Sequence, residues 1–292
     1  MERTAAVMRL HRPGHSRGLL DIPHWSFLLK LLVRKELRVR YRGSLLGMIW
    51  TYVKPAVQLI VYFLAMGKFF SMNDRVTNYI VYLFAGIVVV NVFNEVMRNT
   101  TASIVSNAPL VGKIYLPREL FPMASLWVAF VHFFPQVAVL LVATIFFGWR
   151  PGLLNIGAFL LGILLVATLA LGLGLMFAAW NVIFRDAENI VELISMVAIW
   201  FSPVFYNADM VARALPDWLF FIYQCNPLTC AVELFHYAFW APTTAVTSNP
   251  DLLGLPVGFG TFLAVAFALS LALLALGQLV FRRHEARFAE EL

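Results

Sequence analysis

Charged side chains are scarce in this sequence: Asp, Glu, Lys and Arg together make up 13% of 292 residues, where a soluble globular domain carries about 25%. Hydrophobic residues account for 61%, so most of the chain has to face something other than water, and an ordinary soluble domain is excluded. The formal charge of +6 would suggest nucleic acid in a soluble protein. Here the positions of the cations matter more than their total, and no nucleic-acid partner is expected. Cysteine is nearly absent. Cys225 and Cys230 are the only two, and five residues apart on one helix they point about 140° away from each other, which leaves one disulfide or two buried thiols.

Catalytic signatures are missing as well. There is no G-x-x-x-x-G-K-S/T phosphate loop, so the chain does not bind and hydrolyse ATP by that route. There is no H-E-x-x-H and no paired C-x-x-C, and neither a catalytic residue nor a metal site is expected. Glu233 and His236 lie three apart on one helical face, a spacing used by metal ligands, but a single pair makes no site. His132 reads as a hydrogen-bonded histidine of a helix bundle or as a proton relay, and Glu95 carries the same two readings.

What the sequence has in abundance is long apolar runs, which predict an all-α integral membrane protein. Six segments are long enough to cross a hydrocarbon core about 30 Å thick, which takes about 20 helical residues. They lie at 46–70, 78–98, 119–147, 153–184, 188–206 and 257–281. Two shorter runs, WLFFIYQC at 218–225 and LTCAVELFHYAFW at 228–240, are bracketed by Pro or Asn-Pro. They predict two short re-entrant helices at about 216–240, before the last span.

Lys and Arg crowd one side of these spans. Ten precede the first span, Arg98, Lys113 and Arg118 flank the second connection, Arg185 sits in the fourth, and Arg282, Arg283 and Arg287 follow the last span. The other side has Lys68, Arg75, Arg150 and Arg213. Both termini are therefore expected in the cytoplasm, with the short helices on the far side. Residues 1–21 lack the apolar core of a signal peptide and read as a flexible cytoplasmic tail. Residues 22–44 read as an amphipathic interface helix and 45–292 as the transmembrane domain.

In that helix Trp25, Leu28, Leu29 and Leu32 share one face, while Lys30, Arg34, Arg38 and Arg42 recur every fourth residue along another. Such a helix lies in the headgroup plane with its cations on lipid phosphate. Arg40 points about 160° away from Arg38 and Arg42, and is placed to meet a protein neighbour instead. Gly43 and Ser44 break the run. Lys54, inside the first span beside Pro55, either snorkels to the interface or faces a polar cavity. The connection NAPLVGKIYLPREL at 107–120 predicts a short cytoplasmic helix, a docking element or a plain connector. Span four is longer than a membrane requires, and its Gly162, Gly172 and Gly174 predict close helix approach. Asp186, Glu188 and Glu192 at the start of span five favour its dipole or dock a partner. Trp50, Tyr52, Tyr62 and Phe63 in span one, with Trp200, Phe201, Phe205 and Tyr206 in span five, read as interfacial belts or as rings lining a path for sugars.

Taken in order, five blocks resemble the permease subunits of type-two ABC exporters, in the branch that moves polysaccharides such as O-antigen, capsule, teichoic acid and galactan. They are RKELRVRYRGSLLGMIWTYVKPAVQ, NAPLVGKIYLPRELFPMAS, FRDAENIVE, SPVFY and NPLT. The resemblance implies a half-channel in a bacterial inner membrane that pairs with a second copy of itself and with two copies of a separate ATPase. ATP and Mg would be used by that partner, with no cofactor in this chain. The cargo would be a glycan on a polyprenyl diphosphate, met among membrane lipids by Lys30, Arg34, Arg38 and Arg42. Docking of the ATPase would fall to Arg40, Asn107, Leu110, Lys113, Tyr115, Arg185 and Asp186. The glycan path would be lined by Trp50, Tyr52, Tyr62, Phe63, Phe201, Phe205 and Tyr206. Two other readings stay open: an exporter of drugs or other lipids on the same scaffold, or a membrane transferase acting on polyprenyl phosphates with Glu233 or Asp209 as base. The transferase reading asks for converging acids, whereas Asp209, Asp217, Glu233 and Asp251 are scattered between apolar runs.

Overall fold

The computed structural model describes residues 18–113, 116–244 and 258–292. Tyr115, Asp251 and most of the 1–21 tail lie outside them. The described residues form helices and turns without strands. A 3-10 helix at Gly18–Trp25, with Pro23 inside it, leads into α1 (Ser26–Tyr41). Residues 22–44 are thus α-helical only from Ser26 to Tyr41: Pro23 supplies no N–H, and Gly43 at φ 76° takes a left-handed conformation that turns the chain toward the first span.

Among the described residues, five helices are long and apolar enough to cross a membrane. They are α2 (Gly47–Phe69), α3 (Tyr79–Ala102), α4 (Leu120–Phe146), α5 (Leu153–Ile183) and, after the shorter helices α6 (Ala187–Ala198), α7 (Asp217–Gln224) and α8 (Pro227–Phe235), α9 (Phe259–Glu285). These match five of the six expected spans within a few residues, because a run of apolar residues in lipid has helix as its self-sufficient form. The expected span at 188–206 is not one helix. α6 ends at Ala198 after 12 residues, about 18 Å, and residues 199–206 run on as turns and bends. Pro203 has no N–H and biases Ser202 away from helical geometry, and Val204 N–H closes back on the Ser202 carbonyl at 2.7 Å.

α3 is the axis of the bundle. In its most apolar window 78% of residues are buried, against 6% for α2 and 17% for α9. It packs on α4, α5 and α6, and α5 packs in turn on α9. The approach of α5 to α9 depends on paired glycines: a Cβ on Gly277 would lie 2.1 Å from the Gly172 carbonyl oxygen. One on Gly174 would meet Thr100 of α3 at 2.7 Å, and one on Gly162 the Phe235 ring at 2.9 Å.

The two short apolar runs form α7 (Asp217–Gln224) and α8 (Pro227–Phe235), the latter continuing as a π-helix through Trp240. The Asn-Pro pair starts α8: the Asn226 side chain accepts from Leu228 N–H at 3.0 Å, and Pro227 loses nothing at a position whose N–H has no helical partner. α8 is buried from Leu228 to Phe235 and packs on α5, α3 and α9. Both cysteines are free thiols. Cys230 donates to the Gln224 carbonyl at 3.1 Å.

Candidate functional site: a polar cavity under the interface helix

The longest polar pattern on an otherwise apolar span is on α3, where Asn91, Asn94, Glu95, Arg98 and Asn99 recur at helical spacing. α2 contributes Lys54 and Gln58, and α4 contributes His132 and Gln136, each pair four residues apart and therefore on one face. Together with Arg40 and Tyr41 of α1 and Trp50 of α2, these side chains enclose a cavity of about 710 Å³.

Its floor is tied to α1. Arg40 pairs with Glu95 at 2.7 Å and donates to Asn99 Oδ1 at 2.9 Å. The His132 ring also meets Glu95 through Nδ1, and its Nε2 lies 2.8 Å from the Tyr41 hydroxyl. With the proton on Nδ1, His132 donates to the carboxylate and accepts from the phenol, so both ring nitrogens are satisfied. Higher up, Asn91 donates to both Gln58 and Gln136, at 3.2 and 3.1 Å. Arg98 donates to Ser195 Oγ of α6 at 3.2 Å. Three basic side chains, Arg40, Lys54 and Arg98, therefore line the cavity with one carboxylate, that of Glu95, among the described residues. A smaller apolar cavity of about 220 Å³, lined by Tyr52, Leu59, Ile60 and Phe84 among others, adjoins the polar one and shares Pro55 and Gln136 with it.

The residues singled out from the sequence fall into distinct places. Lys30, Arg34, Arg38 and Arg42 are all exposed, and none has an ion pair among the described residues. Arg40 diverges from them as the helix geometry requires, but the neighbour it meets belongs to its own chain. Lys54 lines the cavity, the second of its two readings. Asn107 is buried, donates to the Ser103 carbonyl at 2.8 Å and accepts from Lys35, which ties α1 to the one-turn helix Ala108–Val111. Beside it, burial pushes the Glu36 carboxyl above its ordinary value, against the opposing pull of Lys35, Arg40 and a hydrogen bond to Asn107. Leu110 is half-buried against the core, while Lys113, Arg185 and Asp186 are exposed. Asp186 makes no side-chain cap, and Glu188 accepts from Asn181 at 2.8 Å.

Of the aromatic residues, Trp50, Tyr52 and Phe201 are exposed, whereas Phe205 is 2% exposed and belongs to the core. Tyr62 packs edge-on against Phe205 at 5.0 Å, Phe63 stacks on Tyr79 at 6.5 Å, and Tyr206 donates to the Trp200 carbonyl. Glu233 and His236 are buried 3.7 Å apart. The His236 ring stacks on Tyr82 at 3.7 Å and its Nε2 donates to the Tyr82 carbonyl at 3.1 Å, which is packing chemistry. No group of three metal-ligating side chains occurs among the described residues.

Sequence reasoning missed the amide members of the cavity, Gln58, Asn91, Asn94, Asn99 and Gln136. Their signal was available as polar residues three and four apart within three separate apolar spans.

The chain is 26% identical over 269 residues to the O-antigen export system permease protein RfbA of Klebsiella pneumoniae, an alignment covering 91% of this chain and 95% of that protein. It is 27% identical to RfbA of Myxococcus xanthus, over 77% of this chain and 84% of that one. With the capsule polysaccharide export inner-membrane protein CtrC of Neisseria meningitidis serogroup A it shares 26% identity, over 77% and 87% of the two chains. The model of the ABC-2 type transporter family matches residues 28–240. That span takes in most of α1, the cavity and the short helices α7 and α8, and the chain is a multi-pass membrane protein of the ABC-2 type transporter family.

Proposed function

We propose that this chain is the permease subunit of an ATP-driven exporter that carries a polyprenyl-diphosphate-linked polysaccharide out across the bacterial inner membrane. The observation that carries the reading is a row of exposed cations on α1 joined, through Arg40, to a cation-walled polar cavity set among membrane-length helices. Relatives named as O-antigen and capsule export proteins supply the cargo class.

In this reading both termini are cytoplasmic, and α6 with the turn segment 199–206 makes the sixth crossing. α7 and α8 re-enter from the far side. Two copies form the channel, and two ATPase subunits, using ATP and Mg, dock beneath on Lys113, Arg185 and the Ala108–Val111 turn. Lys30, Arg34, Arg38 and Arg42 gather the lipid diphosphate at the headgroup plane, where exposed cations attract phosphate most strongly. The exposed rings of Trp50, Tyr52 and Phe201 offer sugars flat apolar faces along the path. The transferase alternative finds no support in the geometry, because Glu233 faces His236 inside the fold rather than a membrane face.

The test is to delete the gene from its native host and score surface polysaccharide while following the purified chain. Loss of surface glycan restored by the wild-type gene, co-purification of a nucleotide-binding subunit and no ATPase activity of the chain alone are the expected results. ATP hydrolysis by the isolated chain, or intact surface glycan in the deletion strain, sinks the proposal.

A further inference from the structure

We infer that the cavity walled by Arg40, Lys54 and Arg98 holds the diphosphate head of an isoprenyl lipid, and that Glu95 is the internal counter-ion which this head displaces from Arg40. The inference rests on the export reading above and locates the headgroup within the chain.

Charge supports it first. Three basic side chains share one cavity with the single carboxylate of Glu95, and Lys54 has no carboxylate within ion-pair distance among the described residues. Unpaired cations inside a membrane bundle are costly and mark places where an anion is handled. Size and polarity agree. The polar cavity, about 710 Å³, falls in the range of small-ligand sites, with room for a sugar residue beside a diphosphate. Its amides suit hydroxyl groups better than they suit the anion itself. The apolar cavity that shares Pro55 and Gln136 with it lies beside the head, where the first isoprene units would follow.

Connectivity makes the site more than a receptacle. Arg40 stands on α1, and Glu95 and Asn99, which hold it, stand on α3. A diphosphate within reach of Arg40 competes with Glu95 for the same guanidinium, and a guanidinium prefers the anion of higher charge. Displacing Glu95 loosens the contact between α1 and α3, which signals occupancy to the helix that faces the cytoplasm.

The experiment uses the full chain in complex with its ATPase subunit in lipid nanodiscs, with radiolabelled geranylgeranyl diphosphate as probe. Lys54→Gln weakens binding by about fivefold or more, Lys54→Arg binds as the wild type does, and Glu95→Gln tightens binding by about fivefold, the scale of one charge pair near solvent. Inorganic pyrophosphate competes far less well than unlabelled lipid. The opposite signs at Lys54 and Glu95 are decisive, since a damaged fold weakens both. Weaker binding in both variants overturns the inference, and so does competition by pyrophosphate equal to that by lipid. Unchanged binding in both variants, in a complex that still restores surface glycan, overturns the site and leaves the export reading standing. Opposite-signed shifts in a complex that restores no surface glycan support the site and sink the export reading.

Discussion

Arg38 and Arg40 are two residues apart on one helix and have different tasks because 200° of rotation separates them. Arg38 projects into solvent, while Arg40 closes a network with Glu95 and Asn99. Replacing Arg40 with Gln leaves a partly buried carboxylate short of its cation and is expected to cost about 1–2 kcal/mol. Arg38→Gln, at an exposed position, stays within about 0.5 kcal/mol of the wild type. Thermal unfolding of the detergent-purified variants checks this, and equal losses at the two sites refute the division. At this scale the sequence was half legible. The periodicity of Lys30, Arg34, Arg38 and Arg42 and the divergence of Arg40 follow from 3.6 residues per turn. That Arg40 meets Glu95, 55 residues away, does not, because helical spacing fixes a side chain's direction and not the helix it will face.

Among the elements, the five long spans were legible to within a few residues, since composition alone decides that such runs are helical in lipid. The sixth segment, expected as one helix over 188–206, is helical only as far as Ala198. Hydropathy registers Trp200, Phe201 and Phe205 as apolar and takes no account of what Pro203 does to the backbone before it, so α6 stops short. Glycine positions in α5 were read correctly as close-packing sites, but spacing alone does not say that Gly172 meets α9, Gly174 meets α3 and Gly162 meets α8. Gly277 carries the strongest expectation: with a backbone oxygen 2.1 Å from the Cβ that Leu would add, Gly277→Leu has to push α9 away from α5. Overpacking of this kind costs about 1–3 kcal/mol. A fall in melting temperature well beyond that of Gly260→Leu, where the added Cβ meets nothing within 4 Å, is the expected result. Equal melting temperatures refute the close approach.

The whole molecule is a core of α3, α4 and α5 with α2 and α9 laid against it. The orientation proposed for it rests on charge asymmetry, and single-cysteine labelling in a background with Cys225 and Cys230 replaced tests it directly. A cysteine at Lys113 is expected to react with a membrane-impermeant maleimide only after the cells are opened, and one at exposed Trp218 in intact cells. The reverse pattern inverts the topology. α2 is the least buried of the spans, is preceded by Gly43 and begins at Gly47, both at positive φ, and ends in the π-helix Phe63–Phe69. It is a strut with a pliable joint at each end, and it supplies one wall of the cavity. The capacity of that chamber is therefore set by the tilt of a single rod, and can be changed without repacking a side chain in the core.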